Sequence, residues 1–440
     1  MSTVLDPAAA RRRFAAVTFL FWLPVGMYVP SQVLLFTERG MTLATVAALF
    51  AVHSFTVSAL ELPTGGLSDV LGRRPVLAAA GVLNLGALLL AALGDSVWPL
   101  VCAMLLLGSG RALSSGPAEA WYVDTVQASE GAGAELRTGL ARGGTASAAA
   151  LAAGTLIGGS LPLGLSALGM EAVGTVLPLS VPSLVGALVC AGYVAYVLAA
   201  LPEPPRPPAG LRSVLRGVPA TVLGGLRLGA GDAVVRRLLL TAGAAGAALA
   251  TIELLTPGRA ARLTGAAESG AVLFAVLACA GFAGTALGSH LAPWAARVTG
   301  SGERAVLATL GVSACGLLLL GATAASAGPP ALAVAALGYA LVYVGFGAAG
   351  PNENDLLHRR VTGDVRATAL SVQSLALQLV GALAGLGVSV LPLGPLPWLL
   401  GGAILLAGAL LWARSTPVPS LPPTTAETVP DPTRRDGVTA

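Results

Sequence analysis

Lysine is absent from this sequence: all 25 basic residues of the 440-residue chain are arginine. Charge of either sign is scarce. Only 10% of residues are charged, against about 25% in soluble domains, which leaves too little polar surface to solvate a globular exterior. The apolar set makes up 55%, which excludes a disordered chain as well. Cysteine is sparse too. Cys102, Cys190, Cys279 and Cys315 fall singly inside apolar runs, without zinc-site spacing or the pairing of a disulfide framework, and read as small core residues. No Walker A loop, dinucleotide fingerprint, HExxH or Gly-x-Ser-x-Gly elbow occurs. ATP-driven pumping and hydrolase chemistry are thereby disfavoured, and the expectation is a protein that is not an enzyme and uses neither cofactor nor metal.

What is present is a succession of apolar runs, with a mean hydropathy of +0.81. A bilayer-crossing helix needs about 20 largely apolar residues. Spans are expected near 14–36, 43–66, 75–94, 97–120, 138–163, 176–200, 236–256, 270–292, 304–325, 330–350, 366–391 and 396–413. This is an all-α polytopic membrane protein of twelve transmembrane helices. The chain divides into an N-terminal segment (1–13), a six-helix half (14–200), a Pro/Arg-rich linker (201–235), a second six-helix half (236–414) and a disordered tail (415–440). Pro202, Pro204, Pro205, Pro207 and Pro208 mark the linker, since proline cannot continue a helix.

Arginine placement sets orientation. Arg39, Arg259 and Arg262 fall on one side of the alternating spans, Arg111 within a span, and the other 21 on the opposite side. The positive-inside rule then puts both termini and the linker in the cytoplasm, in a multi-pass protein of the cell inner membrane. The two halves also match each other. Gly116-Pro117-Ala118-Glu119 and Gly350-Pro351-Asn352-Glu353 close the fourth and tenth spans at an offset of 234, the mark of a duplicated, pseudo-symmetric pair of bundles.

The connection between the second and third spans reads Gly65-Gly66-Leu67-Ser68-Asp69-Val70-Leu71-Gly72-Arg73-Arg74. It resembles the G-x-L-A-D-R-x-G-R-R loop of the major facilitator superfamily, and the twelve-span, two-repeat layout extends that resemblance over nearly the whole chain. Val70 departs from it where the family carries a basic residue. In character the chain is most like bacterial drug/proton antiporters of that superfamily. Physically, Gly65 permits close helix packing, Gly72 a tight turn, Asp69 a bond to a helix N-terminus, and Arg73 or Arg74 a pair with Asp124. The expected role of this cluster is a cytoplasmic gate, with Glu119 and Glu353 as further inner-gate contacts.

A charge in hydrocarbon costs about 2.5–3.5 kcal/mol on insertion scales, so each ionisable residue within a span is a functional candidate. Glu61 lies about 27 Å, and Arg111 about 21 Å, from the outer starts of their spans, which allows the two to pair. A permanent pair would be structural; one that opens would let Glu61 take up a proton. His53, near the midplane, is either a relay or a satisfied core histidine. Glu253 and Gln32 sit at similar depth on helices that, by the family resemblance, line the central cavity, so Glu253 is a candidate for substrate or proton contact. Trp22, Tyr28 and Trp121 are candidates for stacking on a substrate. In the fifth span, Gly154 and Gly158-Gly159 resemble part of the superfamily's antiporter motif, with Ala150 and Thr155 in place of its glycine and proline.

These features imply a secondary transporter that uses alternating access and a proton gradient to export a small amphipathic compound. The partners expected are a small-molecule substrate, protons and the lipid bilayer, with no nucleic acid, and the protein is expected to be a monomer. A proton-coupled importer or facilitator of a nutrient is the alternative on the same fold. A receptor or lipid-handling protein is the alternative of another class.

Overall fold

A computed structural model describes residues 5–65, 67–131, 133–170, 172–203, 223–224, 227, 229–326, 328–360 and 364–414. With no water in the bilayer core to satisfy backbone groups, apolar runs of this length fold as helices, which close every N–H···O=C bond within the segment. The spans are Pro7–Glu38, Leu43–Gly65, Arg73–Leu93, Val97–Glu130, Arg137–Ala167, Val181–Ala200, Ala233–Thr264, Ala267–Thr299, Gly302–Ala322, Pro329–Arg360, Asp364–Ser389 and Pro395–Leu410. Among the described residues, eleven helices are long and apolar enough to cross a membrane, and the twelfth, Pro395–Leu410, is a shorter apolar helix. The β pairing among these residues is a lone bridge between Val173 and Val176.

Several boundaries differ from the sequence expectation: the seventh and eighth helices run on to Thr264 and Thr299, past the expected ends near 256 and 292, and three further differences bear on the site. The first helix begins at Pro7, ahead of the expected start at 14, so Arg11, Arg12 and Arg13 lie on its first turns; proline at a first helical position costs nothing, since its missing N–H would be an orphan there. The fourth span is broken. Its helix stops at Ser114 and restarts at Pro117, with Gly116 at φ 95° in the left-handed region. The tenth span instead runs through Pro351 to Arg360, ten residues past the expected end. The expected tail at 415–440 and most of the linker lie outside the described residues.

Packing repeats between the halves. The first span packs on the fifth and sixth, the third on the fourth and sixth, and the second on the fourth; the seventh packs on the eleventh and twelfth, the ninth on the tenth and twelfth, and the eighth on the tenth. The halves meet mainly through the second and eleventh spans and through the fifth and eighth, which are themselves repeat-related pairs. Small residues allow the closest of these approaches. A Cβ at Gly158 would lie 1.9 Å from the Met27 carbonyl oxygen on the first span, and one at Gly246 would lie 2.1 Å from the Leu377 carbonyl on the eleventh. Gly159 faces the other half, where a Cβ would fall 2.4 Å from that of Ala275. The glycines of the fifth span therefore serve helix contact directly.

Candidate functional site

Between the halves lies a cavity of about 340 Å³, walled by the first, second, fourth, seventh, eighth and eleventh spans. Tyr28, Gln32, His53 and Glu253 all line it. Glu253 is exposed into this space, while Gln32 donates from Nε2 to the sulfur of Met104 at 3.8 Å. The cavity also takes Gln378 from the eleventh span, which sequence reasoning passed over. A signal existed: Gln373, Ser374 and Gln378 interrupt an otherwise apolar helix, the last two at a spacing that shares a face.

Trp121 does not belong to this cavity. It is fully buried, and its indole N–H donates to the Pro202 carbonyl at 2.9 Å, so it packs the end of the sixth span against the fourth. Trp121 lies past the break at Gly116, on the helix that restarts at Pro117, and its residue type alone did not show which space it would face. Trp22 likewise lines a different space, a cavity of about 410 Å³ inside the N-terminal half, together with Arg111 and Glu119.

Glu61 and Arg111 are not paired. The Glu61 carboxylate accepts from the Ser374 hydroxyl at 3.2 Å, a bond that joins the second span to the eleventh and so crosses between the halves. The Arg111 guanidinium lies over the Trp22 ring, 5.2 Å from its centroid. Both residues are within hydrocarbon-spanning helices, yet each has taken a different partner.

The loop between the second and third spans is anchored within one half. Arg73 donates from Nε to Asp124 at 2.9 Å and reaches the same carboxylate from Nη2 at 2.6 Å. Glu203 then accepts the backbone N–H groups of Arg73 and Arg74, each at 3.1 Å, at the start of the third span, where four amides would otherwise be orphaned. Arg74 donates to the Leu198 carbonyl and Arg13 to that of Ala200. Gly72, at φ 106°, makes the turn into the helix. The described partners of Arg73 and Arg74 all belong to the N-terminal half or to its exit at Glu203, so these bonds fasten the third, fourth and sixth spans together and do not bridge the halves. Glu203 was missed because it stands in a proline-rich run 130 residues away. Gly66 and the Asp69 side chain lie outside the described residues, as does any contact of Gly65 beyond its place at the helix end.

Glu119 and Glu353, matched in sequence, have different surroundings. Glu119 is exposed beside the cavity within the N-terminal half, whereas Glu353 is partly buried.

Two arginines that broke the charge pattern have a structural use. Arg39 donates to the carbonyls of Ala91, Ala92 and Thr175 and to the Ser180 hydroxyl; Arg259 donates to the carbonyls of Leu320 and Thr323 and to the Thr323 hydroxyl. Each thus supplies the orphan carbonyls at the C-terminus of a repeat-related helix, the third or the ninth. Burial pushes the pKa of Arg39 down from the ordinary guanidinium value, and the nearby Asp95 carboxylate opposes that shift.

The family model described as Major Facilitator Superfamily matches residues 14–385. Among curated proteins, the Inner membrane transport protein YajR of Escherichia coli (strain K12) is 28% identical over 111 residues, a stretch that covers 24% of either chain. Solved structures extend the likeness in fold. That of the nucleoside transporter NupG superposes with a TM-score of 0.71 at 13% identity, covering 92% of this chain and 98% of the other. A D-xylose-proton symporter superposes with a TM-score of 0.70 at 15% identity, covering 92% and 98%. Twelve spans among the described residues, in two matched bundles around a central cavity, together with a family match over most of its length, make this chain a secondary transporter of the Major Facilitator Superfamily.

Proposed function

We propose that the protein exports a small amphipathic compound across the inner membrane in exchange for protons. The arginine-rich face, which holds both termini, is the cytoplasmic face by the positive-inside rule. The observation that carries the reading is the Glu61–Ser374 bond: a carboxylate within a span is held across the contact between the halves without an ion pair to Arg111. Protonation of Glu61 turns an acceptor into a donor and weakens the charge-assisted bond that joins the second and eleventh spans. Proton binding is thereby coupled to the rocking of the halves. Glu253, with His53 and Gln32 beside it, contacts substrate or proton in the central cavity. The Arg73–Asp124–Glu203 cluster keeps the loop-bearing half rigid on the cytoplasmic side, and Glu119 and Glu353 act near the same opening.

A second reading has its own support. The similar structures named above are a nucleoside transporter and a D-xylose-proton symporter, which favours proton-coupled uptake of a nutrient on the same scaffold.

One experiment separates the two. Efflux-deficient cells expressing the chain are loaded with a panel of dyes, antibiotics and lipophilic cations, with and without an uncoupler, beside Glu61→Gln. Lower accumulation of a compound, restored by the uncoupler and abolished as an effect in Glu61→Gln, is the expected result. Uncoupler-sensitive accumulation above the control overturns export in favour of import, and an unaltered Glu61→Gln removes that residue from coupling.

A further inference from the structure

A second cavity, about 410 Å³, lies wholly within the N-terminal half, between the first, third, fourth, fifth and sixth spans. That volume suits a small-molecule site. Its wall is a fixed aromatic array. Phe21 meets Trp22 and Tyr193 edge-on, with ring centroids 5.6 Å away in each case, and the buried Tyr122, behind the lining, stacks on Phe14 at 5.1 Å. Arg111 stands on this lining, its guanidinium over the Trp22 face.

Among the described residues, no hydrogen-bond acceptor and no carboxylate within ion-pair distance meets the Arg111 guanidinium. A planar cation with five donors, set in a membrane span and left without an acceptor, is costly unless something else completes it. The aromatic face under it holds the plane in position, and the free edge of such a fork matches a carboxylate in two parallel bonds. The Glu61 carboxylate is the first of the charges acting on Arg111, from beyond ion-pair distance, and Arg111 in turn acts on Tyr28 and His53, which line the central cavity, so it stands between the two spaces. Glu119, the carboxylate on the same lining, is exposed and lies beyond the Gly116 break.

We propose that this cavity is a subsite for an amphipathic organic anion, with Arg111 taking the carboxylate and the Trp22 and Phe21 rings taking a flat apolar body. The proposal deepens the transport reading and rests on it for its use in the cell: the subsite is where such a compound is captured before the central cavity. Selection comes from the pairing of one charge with one aromatic surface. A neutral compound of the same shape leaves the guanidinium unpaired, and an amine repels it.

Equilibrium binding to the whole chain in phosphatidylcholine nanodiscs, which carry no anionic lipid, tests this by calorimetry. The probes are 2-naphthoate, 2-naphthylmethanol and 2-naphthylmethylamine. Naphthoate is expected to bind at least tenfold tighter than the other two. Arg111→Gln is expected to remove that preference. Gly144→Phe provides the second variant: Gly144 lines the cavity with nothing within 4 Å of an added Cβ, so the ring fills the space while Arg111 stays in place. It is expected to weaken naphthoate at least tenfold. Equal binding of the three probes, or naphthoate binding unchanged in both variants, overturns the subsite. Naphthoate binding without proton-linked movement of any compound supports the subsite and sinks the exchange reading; proton-linked transport without naphthoate binding does the reverse.

Discussion

The two halves share a scaffold and differ in chemistry. The same helix pairs touch in each, a glycine brings the same kind of helix pair to backbone contact, and an arginine caps the corresponding helix end. Yet the offset of 234 that relates the two Gly-Pro motifs sets Gly345 opposite Arg111, and Gly345 is packed so closely that a Cβ would lie 2.1 Å from the Ser313 hydroxyl. The fourth span breaks at Gly116 where the tenth continues through Gly350. Duplication thus preserved what packing requires and left the buried charges free to diverge, so the N-terminal half holds Glu61, His53 and Arg111 within its spans.

The sharpest way to break the comparison is at the shared glycines. Gly158→Leu and Gly246→Leu are each expected to cost about 3 kcal/mol or more through overpacking against backbone, and to remove folded protein from size-exclusion profiles to a similar extent. Tolerance of one but not the other would show that the close contacts are not equivalent. Next are the capping arginines. Arg259→Ala leaves carbonyls unsatisfied around a side chain only 7% exposed, and is expected to cost about 1–3 kcal/mol in thermal unfolding. Arg39→Ala, at a more open site, is expected to cost less, and the reverse order would contradict the equivalence of the caps. The smallest effect compares the two Gly-Pro motifs. Gly116→Ala is expected to destabilise by about 1–2 kcal/mol because of its positive φ, whereas Gly350→Ala, in helix with no neighbour within 4 Å of a Cβ, is expected to stabilise by about 1 kcal/mol. Shifts of the same sign would mean that the fourth span does not break in the membrane.

Most of the fold was legible because hydrophobic length and turn chemistry are local properties. Pro117 and the Gly116 before it were visible as a motif, but whether such a pair breaks a helix depends on what packs around it, and its twin at Pro351 does not break. The candidate site was legible in part. Gln32 and Glu253 were gathered by depth together with the family resemblance that sets their helices on the cavity, His53 by its place near the midplane, and Tyr28 only as an aromatic side chain suited to stacking. Glu61 and Arg111 were placed at one level too, but rotation about the helix axis sent one toward the eleventh span and the other onto Trp22. Trp121 and Glu203 show the same limit from another side: their partners, at Pro202 and at the amides of Arg73 and Arg74, are far away in sequence, and no periodicity announces them.

The backbone contact at Gly158 has a mechanical consequence. Where a carbonyl oxygen rests against a Cα, there are no rotamers to yield, so a displacement applied to the first span passes undiminished to the fifth. The pair then behaves as one stiff arm. A helix of 30 residues is about 45 Å long, so a tilt of about 10° about one end sweeps the other through about 8 Å. Amplification of that kind needs no soft joint within the arm, only a narrow pivot where the fifth and eighth spans meet.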